Sequence, residues 1–138
     1  MNLLALSALT ALSLVSPDGS QRIDIQHAVD ADSVAAVSYD VSFRGRPVVT
    51  GGRMGLDLDN RSWEMALALG KRSLAQPERW MDLMRLDSVT YQQADTTWHP
   101  LYGERSTVRD RWNGGTLHLS RHDASKYRLD IEVRAYNE

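Results

Sequence analysis

The strict alternation of residues 35–44 constrains this chain more than any other feature. Its apolar members are Ala35, Val37, Tyr39, Val41 and Phe43, and the residues between them are mostly polar. Because successive side chains of a strand point to opposite faces, five consecutive matches to this period predict a strand with one buried and one wet face. Such strands occur in antiparallel sheets.

The same period recurs along most of the chain. It is found around Ile23 and Ile25, from Val89 to Tyr91, and over residues 128–135, and Leu56 with Leu58 indicates a further short strand. Pro and Gly at residues 16–19 and 44–47 predict turns. At least seven strands are expected, so the fold class is mainly β, an antiparallel β-sandwich.

Two departures from plain alternation carry predictions of their own. Asn113-Gly114-Gly115 has hairpin chemistry and predicts a turn between strands over 107–112 and 116–120. Between Asn60 and Leu86 the pattern changes to helical spacing, with a second start at Pro77. The sequence therefore predicts one or two short helices inserted in the sheet, whose Trp and Met side chains pack onto it.

The amino terminus is interpreted as a targeting segment. Residues 3–15 form an apolar run of signal-peptide length, too short to span a membrane, and Ala11-Leu12-Ser13 offers a cleavage pattern. We expect a signal peptide over 1–13, a single mature domain over 14–138, and a periplasmic or secreted protein. The alternative is that this run is a first core strand or helix.

Composition excludes several classes of function. The net charge is −2, and 14 Arg and 2 Lys are scattered along the 138 residues, so no basic stripe for nucleic acid is expected. Cysteine is absent, which removes disulfides, zinc-thiolate sites and thiol nucleophiles. His118 and His122 are the only histidines with metal-like spacing, and Asp57 and Asp59 lack a third ligand, so no metal site is predicted here.

The densest group of chemically distinctive residues lies at 98–113. Trp98, Tyr102 and Trp112 have aromatic faces that suit the apolar faces of pyranose rings. Glu104 could instead pair with Arg105 or Arg109 and hold a loop in place, and we favour this structural role. Trp98, Tyr102 and Glu104 are therefore weak candidates for substrate binding, and no catalytic residue is identified.

These residues also carry a family resemblance. Residues 98–113 resemble the signature W-x-P-x-(W/Y)-G-E … (V/I)-R-(D/N)-x-(Y/W)-N of the amino-terminal domain of glycoside hydrolase family 97. The opening at 16–19, the turn at 44–48, the stretch at 54–58 and the segment at 132–138 are similar to further motifs of that domain, in the same order. The segment at 60–86 and the glycines at 114–115 depart from its usual pattern.

The resemblance implies a multidomain parent enzyme. It would be a secreted, calcium-dependent α-glucosidase or α-galactosidase acting on α-linked oligosaccharides, in which this part of a β-super-sandwich packs on a catalytic (β/α)8 barrel. Catalytic carboxylates and calcium ligands are expected outside this chain, and the domain is expected to be truncated at its carboxy-terminal end. The alternative function is a stand-alone secreted β-sandwich that binds carbohydrate or protein without catalysis.

Overall fold

The computed structural model describes residues 9–29, 34–56, 80–121 and 126–137. The strands of this part of the chain are β1 (Leu9–Val15), β2 (Gln21–Val29), β3 (Ala35–Phe43), β4 (Arg46–Met54), β5 (Met84–Trp98), β6 (Val108–Arg121) and β7 (Arg128–Tyr136). They form a four-stranded sheet of order β1-β2-β3-β4 and a three-stranded sheet of order β5-β6-β7. Every neighbouring pair is antiparallel. The predicted mainly-β antiparallel sandwich is confirmed.

The hydrophobic core lies between the two sheets. The four-stranded sheet contributes Leu12, Leu14, Ile25 and Val37, and the other layer contributes Met81, Met84, Leu117, Leu119 and Ala135. Leu12, Ile25, Met84 and Leu117 are at most 1% exposed. Each such side chain stabilises the fold by about 1.5–3 kcal/mol relative to exposure, so this contact between the sheets holds the domain together.

A two-residue turn joins β3 to β4. Phe43 pairs with Arg46, and the intervening Arg44 and Gly45 have φ angles of 48° and 76°. Two successive positive φ values define the turn type whose twist matches that of the flanking strands. The turn predicted at residues 44–47 is confirmed.

The hairpin predicted at Asn113-Gly114-Gly115 is wrong. β6 continues through all three residues, with Gly114 paired to Gln92 and Gly115 paired to Tyr91. The glycines are needed because other atoms occupy the place of their side chains: a Cβ atom at Gly114 would lie 2.7 Å from the ring of Trp112. Close approach, not a turn, explains this glycine pair.

The predicted helical segment is only partly described. Residues 57–79, including Leu58, the first predicted helix and Pro77, lie outside the described residues. Where the second helix is expected, the structure has a single 3-10 turn, Trp80–Leu83, and Met84 already begins β5. Leu56, assigned from the sequence to a further strand, follows the end of β4 and is exposed. Met81 and Met84 do pack into the core, as predicted.

The apolar amino-terminal run forms a core strand over residues 9–15. Leu12 and Leu14 are buried, and β1 pairs with β2 from Leu9 to Val15. The expected cleavage after Ser13 would fall inside this strand and would remove Leu12 from the core. The boundary at residue 13 stays a prediction, and the packing favours the alternative of a core strand. Among the described residues, no helix has the length and apolar character needed to cross a membrane.

Candidate functional site

A long β-hairpin presents most of the candidate residues. β5 and β6 pair from Met84 with Arg121 as far as Trp98 with Val108. Since β7 pairs with β6 only between Trp112 and Ser120, the outer end of the hairpin is a two-stranded ribbon. A two-stranded ribbon is marginally stable by itself, so cross-strand contacts are needed to hold its shape.

The loop at the end of this ribbon exposes apolar side chains. Leu101 is 97% exposed, Tyr102 88% and Trp98 52%. The ring of His99 ties the two ends of the loop together, because its Nδ1 atom lies 2.9 Å from the carbonyl oxygen of Ser106 and 3.2 Å from Oγ1 of Thr107. The candidates Trp98 and Tyr102 are therefore accessible to a ligand or to another part of the protein.

The ion pair expected for Glu104 is not formed by Arg109. Arg109 donates from Nε and Nη2 to the two carboxylate oxygens of Asp95, at 2.7 and 2.6 Å. This hydrogen-bonded pair lowers the pKa of Asp95 and raises the pKa of Arg109. The reason is register: Asp95 lies opposite Arg111, which makes Arg109 its diagonal neighbour on the same face of the ribbon. Glu104 is exposed and has no hydrogen bond or ion pair to any described residue.

Trp112 is not available for stacking on a ligand. It is only 8% exposed, and the guanidinium carbon of Arg134 lies over its ring at 4.4 Å from the centroid. The ring of Tyr136 completes the contact at a centroid distance of 6.3 Å. These neighbours assign Trp112 a packing role on the outer face of the three-stranded sheet.

The histidines are used in hydrogen bonds. His118 contacts Oδ1 of Asp130 through Nδ1 at 2.8 Å and Oγ1 of Thr90 through Nε2 at 3.0 Å. Nε2 of His27 lies 3.2 Å from the carbonyl oxygen of Met84, linking the two sheets. His122, Asp57 and Asp59 lie outside the described residues. Within the described part of the chain, no three His, Cys, Asp or Glu residues are grouped so that they could hold a metal ion.

A second group of polar side chains lies on the inner face of the ribbon, and sequence reasoning missed it. Tyr91, Gln93 and Asp95 alternate along β5 and lie beside Asn113 and Arg111 of β6. The side-chain amide of Asn113 donates to the carbonyl oxygen of Val15 at 2.8 Å, so this face begins where β1 ends. The alternation of residues 91–95 was the available signal, but the pairing partners follow only from the register. The group offers hydrogen-bond donors and acceptors beside an aromatic ring.

Fold and site together define a class of protein, a two-sheet antiparallel β-sandwich module that presents aromatic and polar side chains on a projecting hairpin. The family model described as "Glycosyl-hydrolase 97 N-terminal" matches residues 14–138. This chain belongs to that family. No protein of curated function matches it.

Solved structures share the fold. One is a glycoside hydrolase family 97 enzyme from Pseudoalteromonas sp. strain K8 in complex with acarbose, at 21% identity and a TM-score of 0.64. Another is a beta-arabinopyranosidase, at 15% identity and a TM-score of 0.63. In both comparisons 91% of this chain is covered but only 16% of the matched chain. The chain therefore spans about a sixth of the length of these proteins.

Proposed function

We propose that this chain is the amino-terminal sandwich of a calcium-dependent glycoside hydrolase that acts on α-glucosides or α-galactosides. The observation that carries the proposal is the family match over residues 14–138, supported by a fold shared with a family 97 enzyme that binds acarbose. In this proposal the sandwich packs on a (β/α)8 barrel elsewhere in the protein.

Hydrolysis of a glycosidic bond requires two carboxyl groups on either side of the scissile bond, one of which protonates the leaving oxygen. We place that pair outside this chain. Calcium would be held there by oxygen ligands and would polarise a substrate oxygen when bound. The described residues of the sandwich offer no such ligand group. Its own contribution is to form a wall beside the barrel and to fix the hairpin at residues 84–121.

The test is hydrolysis by the full-length protein. p-Nitrophenyl α-glucoside, α-galactoside and β-arabinopyranoside serve as substrates, the last because a structurally similar protein is a beta-arabinopyranosidase. We expect release of nitrophenol from the first or the second, loss of activity after treatment with a chelator, and recovery with calcium. A folded protein that cleaves neither α-glycoside would contradict the proposal, and cleavage of the arabinopyranoside alone would show that the substrate class is wrong. Binding of sugar without hydrolysis would favour the stand-alone module.

We also propose that the protein is exported to the periplasm or secreted; the support is the composition of the apolar run at residues 3–15, although residues 9–15 of that run form β1 in the folded domain. Fractionation of expressing cells, with a cytoplasmic and a periplasmic marker enzyme, tests it. Recovery of the intact protein only with the cytoplasmic marker would contradict it.

A further inference from the structure

A groove follows the step where the three-stranded sheet extends past the four-stranded sheet. β1 ends at Val15, whereas the paired strands β5 and β6 continue to Trp98 and Val108. Two adjoining cavities of about 530 and 310 Å³ lie along this step, and both are lined by Gln93 and Asn113. We call this space the rim groove. Its volume is in the range of small-molecule sites.

The floor of the rim groove has an unusual composition for the inner face of a sandwich. Such faces normally supply apolar side chains to the core. Here Tyr91 is 63% exposed, the next inward pair is Gln93 and Asn113, and the pair after that is Asp95 and Arg111. The centre of an interface between protein domains is depleted in charged residues. A polar ligand therefore fits this surface better than an apolar protein partner does.

Some side-chain donors and acceptors in the rim groove are not used in hydrogen bonds to described residues. The side chain of Gln93 has no hydrogen bond to any described residue, and the amide of Asn113 donates to Val15, leaving its oxygen as an acceptor. The carboxylate of Asp95 accepts two hydrogen bonds from Arg109 and lies 3.6 Å from Nε of Arg111, so this ion-pair cluster forms the far end of the groove. Gln93 and Asn113 thus offer donors and acceptors at the strand pair next to the exposed Tyr91, and all three residues line the larger cavity.

We propose that the rim groove binds a pyranose unit of an α-linked oligosaccharide, with its apolar face on the ring of Tyr91 and its hydroxyl groups on Gln93 and Asn113, the pair of residues next to Tyr91 on the same face of the sheet. An aromatic face suits the C–H face of a sugar ring, and planar side-chain amides suit adjacent hydroxyl groups. The choice of sugar rests on the proposed function, whereas the choice of residues rests on the groove alone. A strand from a later part of the protein is the other occupant that the test must distinguish.

The test is native affinity electrophoresis of the full-length protein in the cold. The gels contain soluble starch, which presents α-linked glucose, or galactomannan, which presents α-linked galactose. The variants are Tyr91→Ala, Gln93→Ala and the matched control Tyr127→Ala, a half-exposed tyrosine at the opposite end of the sheet. Thermal melting and nitrophenyl-glycoside hydrolysis are measured on the same samples.

We expect one polysaccharide to retard the wild-type protein, and Tyr91→Ala to weaken that retardation at least about fivefold, the size of effect expected for a central aromatic contact. Gln93→Ala should weaken it less, and Tyr127→Ala should match the wild type. If Tyr91→Ala does not fold, the retardation of Gln93→Ala relative to the wild type is the deciding measurement.

Three results would overturn the inference: no retardation of the wild type by either polysaccharide, equal retardation of wild type, Tyr91→Ala and Gln93→Ala, or equal loss in Tyr127→Ala. A strand that fills the groove would give the first or the second. The hydrolysis assay separates this outcome from failure of the proposed function. If the protein cleaves a glycoside but its retardation does not depend on the groove residues, only the proposed sugar site is wrong. If the protein is retarded but cleaves no glycoside, the proposed hydrolase activity is wrong.

Discussion

Leu12 occupies the space that a side chain at Gly115 would fill: a Cβ atom built on Gly115 would lie 2.5 Å from Cδ1 of Leu12. Leu12 belongs to β1 and Gly115 to β6, so this contact sets how closely the two sheets approach. It joins the two segments of the chain whose sequence was most misleading. One has the composition of a signal peptide, and the other has the composition of a turn.

Gly115→Ala should destabilise the sandwich. The added methyl group must displace Leu12 in a close-packed core, which costs about 1–3 kcal/mol. We expect a lower melting temperature in differential scanning calorimetry of the full-length protein. Gly55→Ala is the matched control, since nothing lies within 4 Å of a Cβ atom there. Equal melting temperatures for Gly115→Ala and Gly55→Ala would show that the sheets are not in contact at this point.

A protein that begins at Leu14 should be less stable than one that begins at Met1. It loses Leu12, whose removal by truncation to alanine alone would cost about 2–5 kcal/mol, and the pairing of residues 9–13 with β2. Chemical denaturation of the two forms measures the difference. Identical midpoints would show that residues 1–13 do not stabilise the domain and would favour cleavage after Ser13. Sequencing of the amino terminus of exported protein would then locate the cleavage site.

The stabilising effect of Asp24 should disappear in acid. Arg22 donates from Nε to Oδ2 of Asp24 at 2.8 Å, and this hydrogen bond lowers the pKa of Asp24 in the folded protein. A carboxyl group with a lowered pKa contributes stability above its unfolded pKa of about 3.9, and that contribution is lost as the pH falls through the folded value. Asp24→Asn should therefore lower the melting temperature at neutral pH, and the difference from wild type should shrink below about pH 4.

The control for this titration is the double variant. In an Arg22→Gln background the main cause of the lowered pKa is gone, so adding Asp24→Asn should change the pH dependence of melting much less. If Asp24→Asn has the same pH profile in both backgrounds, Arg22 does not stabilise the Asp24 carboxylate.

The two tryptophans of the hairpin should differ in their effect on stability. Trp112 is 8% exposed beneath Arg134, and its replacement by alanine should cost about 3–5 kcal/mol of unfolding free energy. Trp98 is 52% exposed, and Trp98→Ala should cost about 1 kcal/mol or less. Urea denaturation of both variants measures this, and a larger loss for Trp98→Ala would contradict the assignment of Trp112 to packing.

Glu104→Ala should leave the melting temperature nearly unchanged. The sequence favoured a structural ion pair, but Arg109 binds Asp95, and the exposed Glu104 has no partner among the described residues. A surface change of this kind alters stability by about 0.5 kcal/mol at most. Melting and KM are measured together on the full-length enzyme. A large drop in melting temperature would show that another part of the protein holds Glu104, and a raised KM would indicate contact with substrate.

Local patterns predicted the sheet content well. The alternation at residues 35–43 and 128–135 and the turn at Arg44-Gly45 depend on neighbours within a few residues, so they can be recognised in the sequence. Asn113-Gly114-Gly115 has the same local signal as a turn, but Gly115 makes room for Leu12 about one hundred positions away, and no local pattern contains that information.

Less of the site could be predicted. The exposed aromatic residues Trp98 and Tyr102 were found because composition alone marks them. Asp95 and Arg109 are separated by fourteen positions and meet through the register of β5 and β6, so the sequence linked Arg109 to the nearer Glu104 instead. Gln93 was overlooked for the same reason, since its significance depends on where β1 stops covering the sheet.

The amino-acid sequence by itself determined that this chain forms antiparallel strands, that it lacks cysteine chemistry, and that its motifs belong to a glycoside hydrolase family. Tertiary structure alone decided that Gly115 lies where the two sheets meet, which arginine binds Asp95, and where β1 stops covering the inner face of the hairpin. The physical reason is range. Backbone preference and side-chain alternation act between neighbours in the chain, whereas packing and hydrogen bonding join residues that are neighbours only in space.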